Sequence, residues 1–464
     1  MPRLAEKQAR PAVQFGANAY FRARLRGIIA PVNLVWHRAD LRLHDNPALA
    51  EALRTGPAVG LVVLDPNILQ NTTPRRRAWF YQNTRALREA YAARGGLLLV
   101  RSGLPWEVLP RVAAELGVQR VFAVRNSTPY ARFRDQKVGE ALPGRLCWLP
   151  GQYIHEPGTI VKPDGGAYTV FTPYSRRWWA APEPVLLEAP DRFPPLHLPP
   201  DYDPGHLPQE ASEVPLPPAG EAAALEALEA FLRDKLPHYH QTRDGLAGEG
   251  VSRLSYYFTL GVLSPRLAAR KALQVGGEGA RKWVNELCWR DFSGDLLYHR
   301  PQMMTQAFDP RWEGLPWNHD SEVFEAWLHG QTGIPVVDAC MRELQATGFL
   351  SNRGRMVVAQ FAVKLALLPW QKCERAFRNL LLDGDNASNL QGWHWAGGLG
   401  VDAAPYFRVF NLITQAETHD PQGLWLKRWV PESGGRAQPY KTPVIDLDAA
   451  RRRYLAAAEK IARG

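Results

Sequence analysis

Cysteine is scarce in this 464-residue chain: Cys147, Cys288, Cys340 and Cys373 are the only four, and no two form a Cys-x-x-Cys pair. Scattered thiols suit a reducing cytoplasm and argue against zinc. His238 and His240 stand close together, but two imidazoles without partner ligands are too few for a metal site, and no metal is expected. No apolar run approaches the length of a membrane span, so no membrane association is expected. No Gly-x-Gly-x-x-Gly follows the first strand-like run, which leaves a dinucleotide site at that point without support. The first 30 residues lack serine and any uninterrupted apolar core, and carry six Arg/Lys against one acid, Glu6. Residues 1–31 therefore read as a flexible basic lead-in rather than a targeting segment.

What is abundant is tryptophan, sixteen residues, and proline, thirty-nine. A hydrophobic share of 45% and a charged share of 22% are ordinary for a globular chain, and the length allows two or three domains. Net charge is +10 and the pI near 9.5. A basic balance attracts polyanions, because Lys and Arg contacts to phosphate release counterions, but charge identifies a partner only together with a site.

Three regions follow the lead-in. From 32 to 150, short β-rich runs ("VNLVWHR", "AVGLVVLD", "LLLVRSG", "RVFAVRN") alternate with helical stretches such as "RRAWFYQNTRALREAYAARG". That alternation predicts a parallel, Rossmann-like α/β sheet with covering helices. From 151 to 220 prolines crowd the chain ("PPLHLPPDYDPGHLP"), which reads as a long semi-rigid linker. From 221 to 464 strand signals vanish and helical periodicity dominates, ending in a basic helix over 447–463. The fold class is thus an α/β domain joined by a linker to an all-α domain.

The helical region holds the chemistry. In "RKWVNELCWRDF", Trp283, Glu286 and Arg290 share one helix face, and a purely apolar core face would not set an acid and a guanidinium beside an indole. In "SNRGRMVVAQF", Asn352 and Met356 share a face while Arg353 and Arg355 point elsewhere. A glycine-rich loop leads into Ser252 and Ser255, with Ser252 the expected N-cap of a helix whose free N–H groups suit phosphate. In "LLLDGDNASNLQGWHWAGG", Asp383 and Asp385 cannot share a helix face, so a loop before the helix at Asn389 suits them, each reaching a different edge of a planar ligand. Paired acids also suggest glycoside hydrolysis, but that chemistry wants carboxyls across a cleft rather than sequence neighbours.

Taken in order, "VWHRADLRLHDNPAL", "VSRLS", "WVNELCWRDF", "NRGRM", "DGDNASNLQGWHWA" and "VDAAPYFRVFNL" resemble the photolyase/cryptochrome flavoprotein family over about residues 32–435. The resemblance implies an antenna domain followed by a helical domain that holds FAD, active as FADH−. Tyr239 and the turn Val251, Ser252, Arg253, Leu254 and Ser255 would hold the phosphates. Trp283 and Arg290 would line the cavity. Asp383, paired with Arg355, then Gly384 and Asp385, would address the flavin ring, with Asn389 near its reactive nitrogen. Val251 departs from the threonine of many relatives and removes one hydroxyl contact, so a modest change in affinity is expected. Trp393, Trp370 and Trp317 would form an electron relay to the surface.

The same resemblance implies UV-damaged DNA, single- or double-stranded, as the partner of a monomeric cytoplasmic enzyme associated with the nucleoid when bound. Trp289 and Trp395 would wall a pocket for a flipped-out lesion, with Glu286 hydrogen-bonding a thymine edge, Asn352 contacting the other base, and Met356 packed against the dimer. Burial of Glu286 would raise its pKa and favour proton donation. Arg243, Arg353 and Gln415, with the stretch from Glu286 to Ser293 that includes Trp289 and Arg290, and Asn352, would contact DNA. Asn352 and Met356 stand where (6-4) enzymes carry histidines, and Trp395 where DASH-type relatives carry tyrosine. Both favour a class I cyclobutane pyrimidine dimer enzyme; a cryptochrome-type blue-light photoreceptor with residual DNA binding is the alternative. Thr128 stands where folate-using relatives place glutamate, so a deazaflavin or second flavin is favoured over folate as any antenna.

Overall fold

The computed structural model describes residues 32–463 apart from 197, 199–201 and 404, so the basic lead-in lies outside the described residues. Five strands, β1 (Val32–His37), β2 (Ala58–Leu64), β3 (Leu98–Ser102), β4 (Val118–Val124) and β5 (Leu146–Leu149), form one parallel sheet in the order β3-β2-β1-β4-β5. β1 and β2 are buried along their whole length, as expected of central strands covered by helices on both faces, and this is why they read as runs rich in Val and Leu. The covering helices α1 (Pro47–Thr55), α2 (Pro74–Ala92), α3 (Pro105–Glu115) and α4 (Pro129–Ala141) each have proline in the first turn. There its missing N–H is no loss and its fixed φ is already helical. Part of the high proline content is therefore helix-start chemistry.

The proline-crowded stretch is more than a connection. It contains α5 (Phe171–Trp179), and Ile154, Tyr174, Trp178 and Phe193 are buried in the same core as the sheet and the helices beyond it. From Glu221 onward no strand occurs among the described residues. The helices that matter below are α6 (Glu221–Asp234), α7 (Ser255–Thr259), α8 (Gly277–His299), α9 (Asn352–Gln360), α10 (Trp370–Leu380), α11 (Asn386–Gly397) and α12 (Leu447–Arg463). The last has the bounds predicted for the final basic helix, with Ala450, Tyr454 and Ala458 inward and Arg451, Arg452 and Arg453 exposed.

Buried polar groups join the sheet region to the helices. Asp45, in a left-handed conformation at φ 49°, accepts two bonds of 2.8 Å from Arg266. Glu221 at the start of α6 accepts the N–H groups of Leu43 and His44, both at 2.9 Å. From α2, Arg75 and Arg76 donate to the carbonyls of Leu380 and Gly384 at 2.8 and 2.9 Å, which pins the loop between α10 and α11.

Asp291 of α8 ties down the former linker by accepting from His155 N at 2.8 Å and Trp178 Nε1 at 2.9 Å. Burial pushes its carboxyl up to about 7 despite those donors. The folded chain thus holds this proton more tightly than the unfolded chain, so stability falls as pH rises from about 4 to about 7 and levels off above. Asp291→Asn is expected to remove a slope worth on the order of 3–4 kcal/mol over that window, read as the urea midpoint against pH. An unchanged slope would contradict the assignment.

Candidate functional site

A cavity of about 460 Å³ opens among the helices, within the roughly 300–1,000 Å³ of ligand pockets. Four segments build it. One face of α8 contributes Trp283, Glu286 and Arg290, as their spacing predicts, with Trp289 and Ser293 beside them. Asn352 and Met356 project from α9, the amide within 3.8 Å of the sulfur, and Arg355 reaches the same cavity by its length rather than pointing elsewhere. Asp383, Asp385, Asn389, Trp393 and Trp395 come from the loop before α11 and from α11 itself, and Tyr239, Arg243, Val251, Ser252, Arg253 and Ser255 close the remaining side.

The two acids of the opening loop have separate duties. Asp383, 5% exposed, receives Arg355 Nη2 on both oxygens at 2.8 and 3.0 Å, and its carbonyl accepts from Thr259. Asp385 caps α11 by accepting the N–H of Ser388 at 2.7 Å, so the helix begins at Asn386 and Asn389 lies in its second turn. Asn389 donates Nδ2 to Glu374 at 2.7 Å, and Arg378 holds that carboxylate at 3.0 Å. The amide orientation is thereby set, with Oδ1 as its spare acceptor.

The turn at 251–255 departs from expectation. Ser252 is not the N-cap: α7 begins at Ser255 behind Leu254, which caps nothing, and Ser252 Oγ instead accepts from Leu254 N at 3.4 Å. The cause is Arg253, a non-glycine residue at φ 55° that reverses the chain between serine and helix. Among the described residues the N–H groups of Ser252, Arg253 and Ser255 bond to no acceptor. Leu254 is buried away from the cavity. Gly384 also lies off the lining, its carbonyl taken by Arg76.

Glu286 is half-buried rather than buried, and Arg243 is ion-paired to it, so the burial on which proton donation was argued is absent. Arg353 and Gln415 lie outside the cavity but touch each other at 3.3 Å, and Arg353 also pairs with Asp244 at 3.0 Å, next to Arg243. The side walls have supports that no sequence pattern announced. Phe171 of α5 stacks on Trp289 with ring centroids 3.5 Å apart and planes within 7°. Asp402 accepts the N–H of Phe171 at 2.6 Å and so braces the ring that backs Trp289. Phe258, Phe349 and Phe377 also line the cavity; as apolar residues at helical spacing they carry no signal that separates them from core.

Trp393 shares one core cluster with Trp370, fully buried, and half-buried Trp317 packs against that cluster. His394 packs edge-on against Trp370 at 4.6 Å. Its Nδ1 accepts from Phe308 N and its Nε2 faces Met303 O, while burial pushes the imidazole down to about 4, so it is neutral at physiological pH.

Two family models match the chain: DNA photolyase over residues 33–195 and the FAD binding domain of DNA photolyase over 283–438. A deoxyribodipyrimidine photo-lyase of Thermus thermophilus is 60% identical over 431 residues, spanning 93% of this chain and 99% of that protein. The chain belongs to the DNA photolyase family. Among solved photolyases, a bacterial class III enzyme from Agrobacterium tumefaciens superposes with a TM-score of 0.84 at 30% identity, covering 94% of this chain and 98% of that one. An archaeal photolyase from Sulfolobus tokodaii, crystallised with two FAD molecules, gives 0.80 at 25% over 92% and 99%. The FAD-binding model of photolyases takes in α8, α9, α11 and Gln415, hence most of the cavity wall. Spare N–H donors at the 252–255 turn, the Arg355–Asp383 pair, the oriented amide of Asn389 and indole walls in one cavity fit a flavin dinucleotide.

No described helix of this photolyase is long and apolar enough to cross a membrane. Arg355→Ala strands the Asp383 carboxylate in a low-dielectric site and is expected to cost about 2–3 kcal/mol by urea unfolding, with Arg355→Lys recovering part. No loss of stability in Arg355→Ala would show that the pair does not hold the loop.

Proposed function

We propose that the chain repairs cyclobutane pyrimidine dimers in DNA under light, as a class I enzyme, with FAD in this cavity and the lesion at its mouth. The carrying observation is convergence: the residues expected to hold flavin, Leu254 and Gly384 apart, and those expected to meet a flipped-out lesion line one cavity. The same reading divides the chain into an antenna domain (32–150), a linker (151–220) and a helical domain (221–464), and makes it a monomer of the cytoplasm that sits on the nucleoid when bound to DNA.

Bound flavin would supply the chemistry that no side chain here can, one-electron donation to the lesion from an excited state and recovery of the electron after the two inter-base bonds have broken. The protein does the rest. Asp383, Arg355, Asp385 and Asn389 would orient the ring, and Tyr239, Ser252 and Ser255 the phosphates. A dimer leaves the duplex at lower cost than an intact pair because it stacks poorly. Trp289, backed by Phe171, and Trp395 would hold it and exclude water. Glu286, kept in place by Arg243, would accept a hydrogen bond from a thymine edge, with Asn352 and Met356 on the other base. Arg353, Gln415 and Arg243 would meet the phosphates that position the strand. Trp393, Trp370 and Trp317 would return an oxidised flavin to its working state.

A second chromophore, where one binds, is proposed to be a flavin or deazaflavin rather than folate. Thr128, not an acid, precedes α4, with its hydroxyl bonded to Asn126 at 3.0 Å, and the Sulfolobus relative was crystallised with two FAD molecules. The photoreceptor reading is weaker, since the curated relative at 60% identity is named a photo-lyase.

Irradiated oligonucleotide offered to the purified, reduced protein should lose its dimers in blue light and keep them in the dark; equal persistence in both would overturn the proposal. Glu286→Ala is expected to lower the repair yield about tenfold while flavin content stays at the wild-type level, the loss of one charge-assisted bond. Trp370→Phe should slow photoreduction of the oxidised protein, followed as bleaching of its blue absorption; an unaltered rate would remove the relay.

A further inference from the structure

Glu313 touches both outer indoles of the relay. It lies in a short helical turn, Pro310–Gly314. Its Oε1 accepts the indole N–H of Trp370 at 3.4 Å and the N–H of Ala307 at 2.5 Å, and its Oε2 accepts Gln371 Nε2 at 3.3 Å. Its main-chain carbonyl accepts the indole N–H of Trp317 at 3.1 Å. One residue thus addresses Trp370 with a charge and Trp317 with a neutral dipole.

The asymmetry has an electrostatic consequence. An indole that loses an electron while buried becomes a cation in a low-dielectric surround, which is costly without a counter-charge. Trp393 has aromatic neighbours, Phe377 and Trp327, at 5.7 and 6.1 Å. Trp370 is equally buried, and its recorded ring neighbour His394 is neutral, but its N–H points at the Glu313 carboxylate. Trp317 is half-exposed, so water can solvate a positive charge there.

We propose that Glu313 is a positioning residue for photoreduction: its carboxylate draws positive charge outward from Trp393 to Trp370, and its carbonyl docks Trp317 as the next carrier. The inference rests on the relay reading above. With an oxidised flavin bound and excited, Trp393 would lose one electron to it, Trp370 would refill Trp393, and Trp317 would refill Trp370. A single indole radical cation is left at Trp317, and a thiol reductant in solution restores it. No bond between heavy atoms forms or breaks, and the indole protons stay in place until Trp317 meets water.

The test is a blue flash on the oxidised, flavin-loaded protein, with the long-lived tryptophan radical read by its absorption and folding read by melting temperature and flavin content. Glu313→Gln keeps the acceptor for Trp370 and Ala307, gives up the one facing Gln371 and removes the charge; Glu313→Asp keeps the charge on a shorter arm. The radical yield is expected to fall about tenfold in E313Q, the effect of removing one nearby charge from a buried site, and to be largely retained in E313D. A wild-type yield in E313Q, or equal losses in E313Q and E313D, would overturn the proposal. A depleted yield in W370F beside an intact one in E313Q would overturn the role of Glu313 alone, whereas an intact yield in W370F would overturn the relay itself.

Discussion

A carboxylate that is 5% exposed cannot be left without a partner, and Asp383 organises the site because of it. Arg355 from α9 supplies the charge, Thr259 from α7 bonds the backbone, and Arg76 from α2 anchors the next residue. Three segments far apart in sequence are thereby locked to one loop, and α11 starts from that loop with Asp385 as its cap. The position of Asn389, Trp393 and Trp395 on the cavity wall follows from where α11 begins. Removing the pair would release the wall as well as a charge.

The α/β region is part of that arrangement. Arg75 and Arg76 hold the α10–α11 loop from outside, and α5 of the proline-crowded stretch lays Phe171 flat on Trp289. Asp402, at φ 53°, holds Phe171 in turn through its backbone N–H. Strain at a non-glycine residue of this kind persists only where its surroundings over-determine it. Trp289 is therefore stiffened from behind, which the proposed lesion pocket would need in order to compete with the duplex.

The legible parts of the molecule are those where physics writes a period or a charge. β1 and β2 are buried along their whole length, β3 and β4 over most of theirs, because helices cover both faces, and α12 shows its buried stripe of Ala450, Tyr454 and Ala458 against exposed arginines. β5, "LCWL", is four half-buried residues at an edge and carries no such signal. Helix α5 hides among prolines and aromatics, whose burial is decided by partners distant in sequence. The face shared by Trp283, Glu286 and Arg290 was readable because an acid and a guanidinium on a helix beside an indole need a reason. Ser252 misled because a serine before a helix looks like a cap until the backbone reverses at Arg253. Glu313, Phe171 and Asp402 had no local pattern at all, since each acts through a contact made only in three dimensions.

The most direct test of the central claim is a structure of the chain with FAD and a dimer-containing oligonucleotide. The account requires the flavin ring beside Asp383 and Asn389, with the dimer out of the duplex in van der Waals reach of it between Trp289 and Trp395. Flavin bound elsewhere, or a dimer left stacked in the helix while the cavity holds flavin, would contradict it.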